Sequence, residues 1–255
     1  MAKKSRFFIN DNIPINFSSI STISQQLINL SKVKRKIPFL VTYLNAYNLT
    51  LALKDADYAQ LLNSFDFIYA DGWGVILAAR LFGIFLPGRL TAKDFFDQFC
   101  RLVVKEKKSL FFLGSKEETV KEMVNVLRKK FSQIRIKGWQ NGYFLRKEEG
   151  LIIERINKLK PDFLIIGMGS PKQEEWLYKN LDKLNIKVGW CVGGLFDFLS
   201  GNKPSCPLWL GDLGFEWFFR LLTEPKRLWQ RYLIGIPELF YRLIKLKIKK
   251  LFLRN

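Results

Sequence analysis

Short apolar runs recur along this chain at intervals that leave room for one helix between each pair. Residues 36–43, 65–69, 110–113, 134–137, 163–166 and 187–192 are each strand-length and rich in Phe, Ile, Leu and Val. Between them lie segments with helical spacing. Residues 49–62 place Leu49, Ala52, Leu53, Ala56 and Ala59 on one stripe. Further helices are predicted over 75–81, 115–131, 147–159 and 173–183. Ser115 followed by Glu118 has the spacing of a capping box. Strands alternating with helices in this way predict an α/β fold, a mostly parallel sheet with helices on both faces. Ligands of such sheets bind beyond the carboxyl ends of the strands. Asn45, Asp71, Gly114, Gly169 and Gly193 all fall just past a predicted strand and are expected to line one cleft. No internal repeat or low-complexity linker interrupts the pattern.

The composition changes near Pro204. Arg220, Arg227, Arg231, Arg242, Lys245, Lys247, Lys249, Lys250 and Arg254 follow, with Trp209, Trp217 and Trp229 among them. The chain is therefore divided into an α/β domain over 1–203 and a basic helical appendage over 204–255, which Pro225 and Pro237 are expected to break into pieces. From Glu238 onward, Leu239, Phe240, Leu243, Ile244, Ile248 and Phe252 lie largely opposite Arg242, Lys245 and Lys249. That is the pattern of a helix lying on an anionic membrane surface. A helix packed on the domain, or a subunit contact, has the same pattern, so a homo-oligomer stays open.

Several constellations bear on chemistry. Asp71 sits between a buried strand and Gly72, where a carboxylate either accepts a proton from a substrate hydroxyl or caps the next helix. Gly167-Met168-Gly169, with Pro171 and Gln173, is a glycine turn entering a helix, a place where N–H groups and the helix dipole favour phosphate. It lacks the Lys-Ser/Thr of a P-loop. Gly193-Gly194 leads to Asp197, a candidate for a ribose or base contact or again a cap. Arg89 follows Pro87-Gly88 in a loop and carries the forked donors that suit phosphate, unless it is a surface charge. Asp55-Ala56-Asp57 matches the metal-holding DxD pattern, but inside a predicted helix its side chains diverge by about 100°. It is read as a solvated face, and no metal site is expected.

A formal net charge of +19 points to an anionic partner or to a lysine-rich bias. The absence of histidine removes Ser-His-Asp triads and His-containing zinc sites, leaving Asp, Glu, Lys, Tyr or Cys for acid–base work. Cys100, Cys191 and Cys206 have no metal or disulfide spacing. No signal-peptide apolar region and no run of eighteen apolar residues occurs, so the protein is expected in the cytoplasm.

Taken in order, Thr42 to Asn45, Ala70-Asp71-Gly72, Leu86-Pro87-Gly88-Arg89, Pro161-Asp162 through Gln173-Glu174, Val192-Gly193-Gly194 through Gly201, and Glu216-Trp217 with Arg220-Leu221 and Glu224-Pro225 resemble the WecG/TagA/CpsF glycosyltransferases. The likeness covers most of the chain, from about residue 41 to 232. It implies a Rossmann-like domain with a C-terminal appendage that completes the site and touches the membrane. It implies inverting, metal-independent transfer of a sugar from a UDP-sugar to an undecaprenyl-diphosphate-linked saccharide, for cell-surface polysaccharide synthesis at the inner membrane face. The sugar would be N-acetylmannosamine, its uronic acid or another hexose. No cofactor beyond the donor, and no nucleic acid, is implied. Residue by residue, Asp71 resembles the base. Thr42 and Asn45 match the sugar pocket and Arg89 an anion contact. Gly169 and Gln173 match the donor turn and its polar hook, and Asp197 a nucleoside contact. Arg220, Arg227 and Arg231 resemble arginines that close over the diphosphate. Two departures are the wider spacing of Thr42 and Asn45, and Thr91-Ala92-Lys93-Asp94 where a glycine commonly precedes the acidic residue.

Two rival readings have distinct signatures. A Rossmann dehydrogenase wants GxGxxG with an acidic residue about twenty positions on, and that arrangement is not found. A non-enzymatic basic module binding membrane or nucleic acid accounts for the charge, but gives Asp71, Asn45 and Gln173 no role.

Overall fold

A computed structural model describes residues 6–9 and 13–252. Six parallel strands form the central sheet: β3 (Phe39–Leu44), β4 (Phe67–Ala70), β5 (Ser109–Gly114), β6 (Arg135–Gln140), β7 (Phe163–Gly167) and β8 (Val188–Cys191), in the order β4-β3-β8-β7-β5-β6. Alternate residues feed two cores, as the two-residue period of a strand requires. Leu40, Leu44, Ile68, Leu113, Leu164 and Ile166 pack on one face. Val41, Tyr43, Tyr69, Phe112, Ile165 and Trp190 pack on the other, where Phe95 stacks on Trp190 and Phe99 meets it edge-on. The first face is covered by α2 (Ala46–Lys54), α3 (Ala56–Asn63), α4 (Trp73–Leu81), α7 (Glu149–Leu159) and α8 (Lys172–Lys179). The second is covered by α1 (Ile23–Leu30), α5 (Ala92–Lys105), α6 (Glu117–Lys130) and α9 (Leu195–Leu199). This is the α/β, Rossmann-like architecture expected from the alternation.

Four local expectations need correction. The helix predicted over 49–62 is two helices, because the Asp55 carboxylate accepts from the amides of Asp57 (2.9 Å) and Tyr58 (3.1 Å) and so restarts the helix. Asp55 thus caps a junction rather than sitting mid-helix, while both Asp55 and Asp57 are exposed, as a solvated reading requires. Ser115 does not cap α6, whose first turn begins at Glu117; its hydroxyl donates to Asp197 instead. The helix predicted to Lys183 ends at Lys179, with a 3₁₀ turn over Leu181–Lys183. An N-terminal hairpin, β1 (Arg6–Ile9) with β2 (Ile13–Asn16), together with α1 and α5, was not predicted.

The chain after residue 204 forms α10 (Leu208–Asp212), α11 (Glu216–Thr223) and α12 (Pro225–Trp229). A π turn (Gln230–Ile234) and α13 (Gly235–Phe252) follow without interruption. Pro225 opens α12 at a position that needs no N–H donor. Pro237 does not break the helix: the wider π turn just before it, where the Gly235 amide reaches back to Gln230, absorbs the missing donor. Leu239 and Leu243 are fully buried in the first core, against α2 and α4. Of the rest of that apolar stripe, Phe240 is half-buried and Ile244, Ile248 and Phe252 are exposed. Arg254 lies outside the described residues.

Candidate active site

A cleft of about 1380 Å³ runs along the carboxyl edge of the sheet and is roofed by the appendage. Its floor and walls include Asn45 after β3, Asp71 after β4, Ser115 after β5, Gly169 after β7 and Gly193 after β8. Gly114 itself is the last residue of β5. Its φ of 146° and a backbone approach that would put a Cβ 2.3 Å from the Gly167 carbonyl oxygen allow no side chain there.

Asp71 is half-buried at this wall. Its amide donates to the Leu44 carbonyl at 2.8 Å, which fixes the turn leaving β4. The next helix has no side-chain cap, so the Asp71 carboxylate is not spent on capping. Burial pushes that carboxyl up to about 6; Arg220 opposes the rise, Glu216 adds to it, and the nearby Thr91 hydroxyl and the charge of Arg231 oppose it. A carboxylate of this kind is ionised at neutral pH yet a better proton acceptor than an exposed aspartate.

The arginines come from two directions. Arg89, from the core, is nearly buried and donates through Nη1 to Thr91 (3.1 Å), Asp94 (2.8 Å) and Glu216 (3.4 Å). Its position is therefore a bridge between the core and α11 rather than a surface charge. From the appendage, Arg220 pairs with Glu216 at 2.9 Å and lies over the Phe198 ring. Burial works against the charge of Arg220, but Glu216, Tyr232 and Asp71 hold its pKa above the ordinary value. Arg231 stacks over Tyr47, 4.7 Å from the ring centroid. Arg227 makes a two-pronged pair with Glu224 at 2.7 and 2.8 Å. All three appendage arginines line the cleft. Asp197 lines it too, between the Ser115 hydroxyl (3.0 Å) and Lys203 (2.7 Å).

Thr42 and Gln173 sit elsewhere than a ligand-contact role requires. Both are fully buried beneath the floor. The Glu174 Oε1 collects the Thr42 hydroxyl (2.8 Å), the Ser170 hydroxyl (2.9 Å) and the Gln173 amide (2.8 Å). Asn48 donates to Ser170 and to the Tyr43 carbonyl, both at 3.1 Å. Burial raises Glu174 to about 7 despite its three donors. Asn45 does line the cleft, but its side-chain oxygen caps α2 through the Asn48 amide. Glu174, Thr91 and Glu216 stand inside blocks named from the sequence but carry no role there. The sequence reads a helix start at Gln173-Glu174-Glu175, with Gln173 as its polar hook, and no periodicity marks Glu174 as buried. Among the described residues no group of three His, Cys, Asp or Glu side chains is placed to hold a metal ion, and no helix is long and apolar enough to cross a membrane.

Residues 11–252 match the model of the glycosyl transferase WecG/TagA/CpsF family. The chain is 32% identical over 241 residues to N-acetylglucosaminyldiphosphoundecaprenol N-acetyl-beta-D-mannosaminyltransferase of Bacillus subtilis (strain 168), covering 94% of this chain and 91% of that one. It is 32% identical to the enzyme of the same name from Bacillus spizizenii, over 76% of this chain and 74% of the relative. With the Staphylococcus aureus (strain NCTC 8325) enzyme of that name the identity is 30%, over 75% and 74%. With a match across nearly its whole length, this chain belongs to the WecG/TagA/CpsF family of glycosyltransferases.

Proposed function

We propose that this glycosyltransferase moves N-acetylmannosamine, or a related hexose such as its uronic acid, from a UDP-sugar onto a saccharide carried by undecaprenyl diphosphate. The relatives' names describe transfer of N-acetylmannosamine to N-acetylglucosaminyldiphosphoundecaprenol, and the match to one of them runs nearly end to end. The observation that carries the chemistry is Asp71: one carboxylate of raised pKa, facing Arg220 and Arg231 across the cleft.

In this reading the acceptor hydroxyl attacks the anomeric carbon of the donor as the bond from that carbon to the UDP oxygen breaks. Asp71 takes the hydroxyl proton, and the bonding electron pair leaves with UDP. Attack opposite the leaving group inverts the anomeric carbon. Arg220, Arg227 and Arg231 meet the charge that develops on the diphosphate, preorganised positive charge where a water-filled site would have to reorganise. No metal ion is assigned a part. Asn45, Gly169 and Asp197 sit along the same cleft and are assigned to the donor. The enzyme would work at the inner face of the cell membrane, held there by exposed Ile244, Ile248 and Phe252 beside Lys245, Lys247 and Lys249.

UDP release from a panel of UDP-sugars, with a lipid-diphosphate acceptor in detergent, tests the proposal. Acceptor-dependent release that disappears in Asp71→Asn supports it and identifies the sugar. Wild-type turnover in Asp71→Asn, or no release with any donor, sinks it.

A further inference from the structure

Three glutamates of the appendage are each shared between a core cation and an appendage arginine. Glu238 joins Lys54 to Arg242, Glu224 joins Lys203 to Arg227, and Glu216 joins Arg89 to Arg220. Glu216 is the most enclosed of the three, with a side chain 14% exposed. It is also the one whose charge acts on Asp71. Two short paths connect them. One runs from Glu216 to Arg89 and from the same Arg89 nitrogen to Thr91 at 3.1 Å, and Thr91 lines the cleft with Asp71. The other runs from Glu216 to Arg220 at 2.9 Å, and the Arg220 charge acts on Asp71 within the same cleft.

We propose that Glu216 is a positioning residue for the transfer reaction: by gripping Arg89 and Arg220 at once, it docks the appendage beside Asp71 and sets the charge that the base meets. The inference rests on Asp71 being the base. The titratable, charged and polar groups that act on Asp71 within the cleft are Tyr43 on β3, Tyr69 on β4, Thr91 before α5, Glu216 and Arg220 on α11, and Arg231 in the π turn. Those around Glu216 are Arg89, Asp94 and Arg220, with Lys93 beside Asp94. Without the Glu216 charge, Arg89 and Arg220 keep theirs, and the field at Asp71 becomes more positive. The base then ionises at lower pH and is weaker, while the arginines lose the contact that orients them.

The test is the pH dependence of kcat/KM for wild type, Glu216→Gln, Glu216→Asp, Glu224→Gln and Asp71→Asn, using the UDP-sugar and lipid-diphosphate acceptor that support wild-type turnover. In Glu216→Gln the acid limb is expected to move to lower pH by about one unit, the lower end of what a neighbouring charge does. Its kcat should fall on the order of tenfold, within the hundredfold that an ångström of misplacement costs. Glu216→Asp keeps the charge on a shorter stem and should shift the limb the same way by less. It decides the matter if Glu216→Gln does not melt cooperatively. Glu224→Gln, whose glutamate grips Arg227 instead, should leave the limb where it is. An unmoved limb in the Glu216 variants, or an equal shift in Glu224→Gln, overturns the proposal. Asp71→Asn separates the two ideas: silence there with an unmoved Glu216→Gln limb leaves the base standing and removes Glu216, and turnover there removes both.

Discussion

The side-chain oxygen of Gln173 accepts the backbone N–H of Gly193 at 3.0 Å, tying the turn after β8 to the helix that follows β7. The other end of the same amide donates to Glu174 at 2.8 Å and to Ser170 at 3.2 Å. One buried side chain thus sets the spacing of two glycine turns that line the cleft. Gln173→Ala leaves the Gly193 amide and the Glu174 carboxylate each short of a partner, so a stability loss of about 1–3 kcal/mol is expected. The turns should loosen, weakening UDP binding more than the chemical step. Urea unfolding and UDP titration check the two parts separately; unchanged stability would remove the tie from the argument.

The pH dependence of stability has a definite sign. Burial lifts Asp71 to about 6 and Glu174 to about 7, above their ordinary carboxylate values of 3.8 and 4.5. Between the unfolded and folded values the native protein binds more protons than the unfolded chain, so stability falls as pH rises through that window. Glu174→Gln copies the protonated form. It should match wild type near pH 4 and exceed it by about 3 kcal/mol at pH 8. Asp71→Asn should likewise gain stability at pH 8 while losing turnover. Denaturation at the two pH values measures both, and a Glu174→Gln protein weaker than wild type at pH 8 contradicts the assignment.

Arg220 and Arg227 are distinguished by what surrounds them. Arg220 shares the cleft with Asp71 and its charge lowers the carboxyl's pKa; Arg227 is largely exposed and pairs two-pronged with Glu224. Arg220→Ala is therefore expected to cost roughly 10²–10³-fold in kcat, as loss of a preorganised donor does. It should also move the acid limb of activity to higher pH. Arg227→Ala should raise the donor KM and leave the limb in place. The same pH–rate profile for both variants would refute the distinction.

The sheet was legible because its strands are buried on both faces and read as bare apolar runs between helical stripes. Asp71, Asn45, Gly169 and Gly193 were legible as a cleft for the same reason: each follows such a run. The appendage was legible only in composition. Its arginines stand out, but nothing local reveals that Leu239 and Leu243 return to the core against α2. Glu174 was hidden because burial of a charged helix residue depends on three donors brought from residues 42, 170 and 173. Ser115 shows the converse. Its spacing to Glu118 fits a cap, yet tertiary placement gave its hydroxyl to Asp197, 82 positions away. Asp55 was misread because a restart cap inside a continuous apolar stripe leaves the periodicity intact.

The last helix carries two kinds of apolar residue, and they should behave differently. Leu239 and Leu243 are fully buried against the core, whereas Ile248 and Phe252 face outward beside Lys245 and Lys249. Leu239→Ala or Leu243→Ala opens a cavity and should cost about 2–5 kcal/mol. Because α13 continues the π turn that holds Arg231, turnover with a water-soluble acceptor should fall as well. Ile248→Ser with Phe252→Ser should leave stability and that turnover near wild type. The double variant should instead lose co-sedimentation with vesicles containing anionic lipid, because the apolar insertion is gone while the lysines remain. Sedimentation equal to wild type would show that charge alone holds the protein to the vesicle, and would move the contact from the α13 apolar stripe to the basic face.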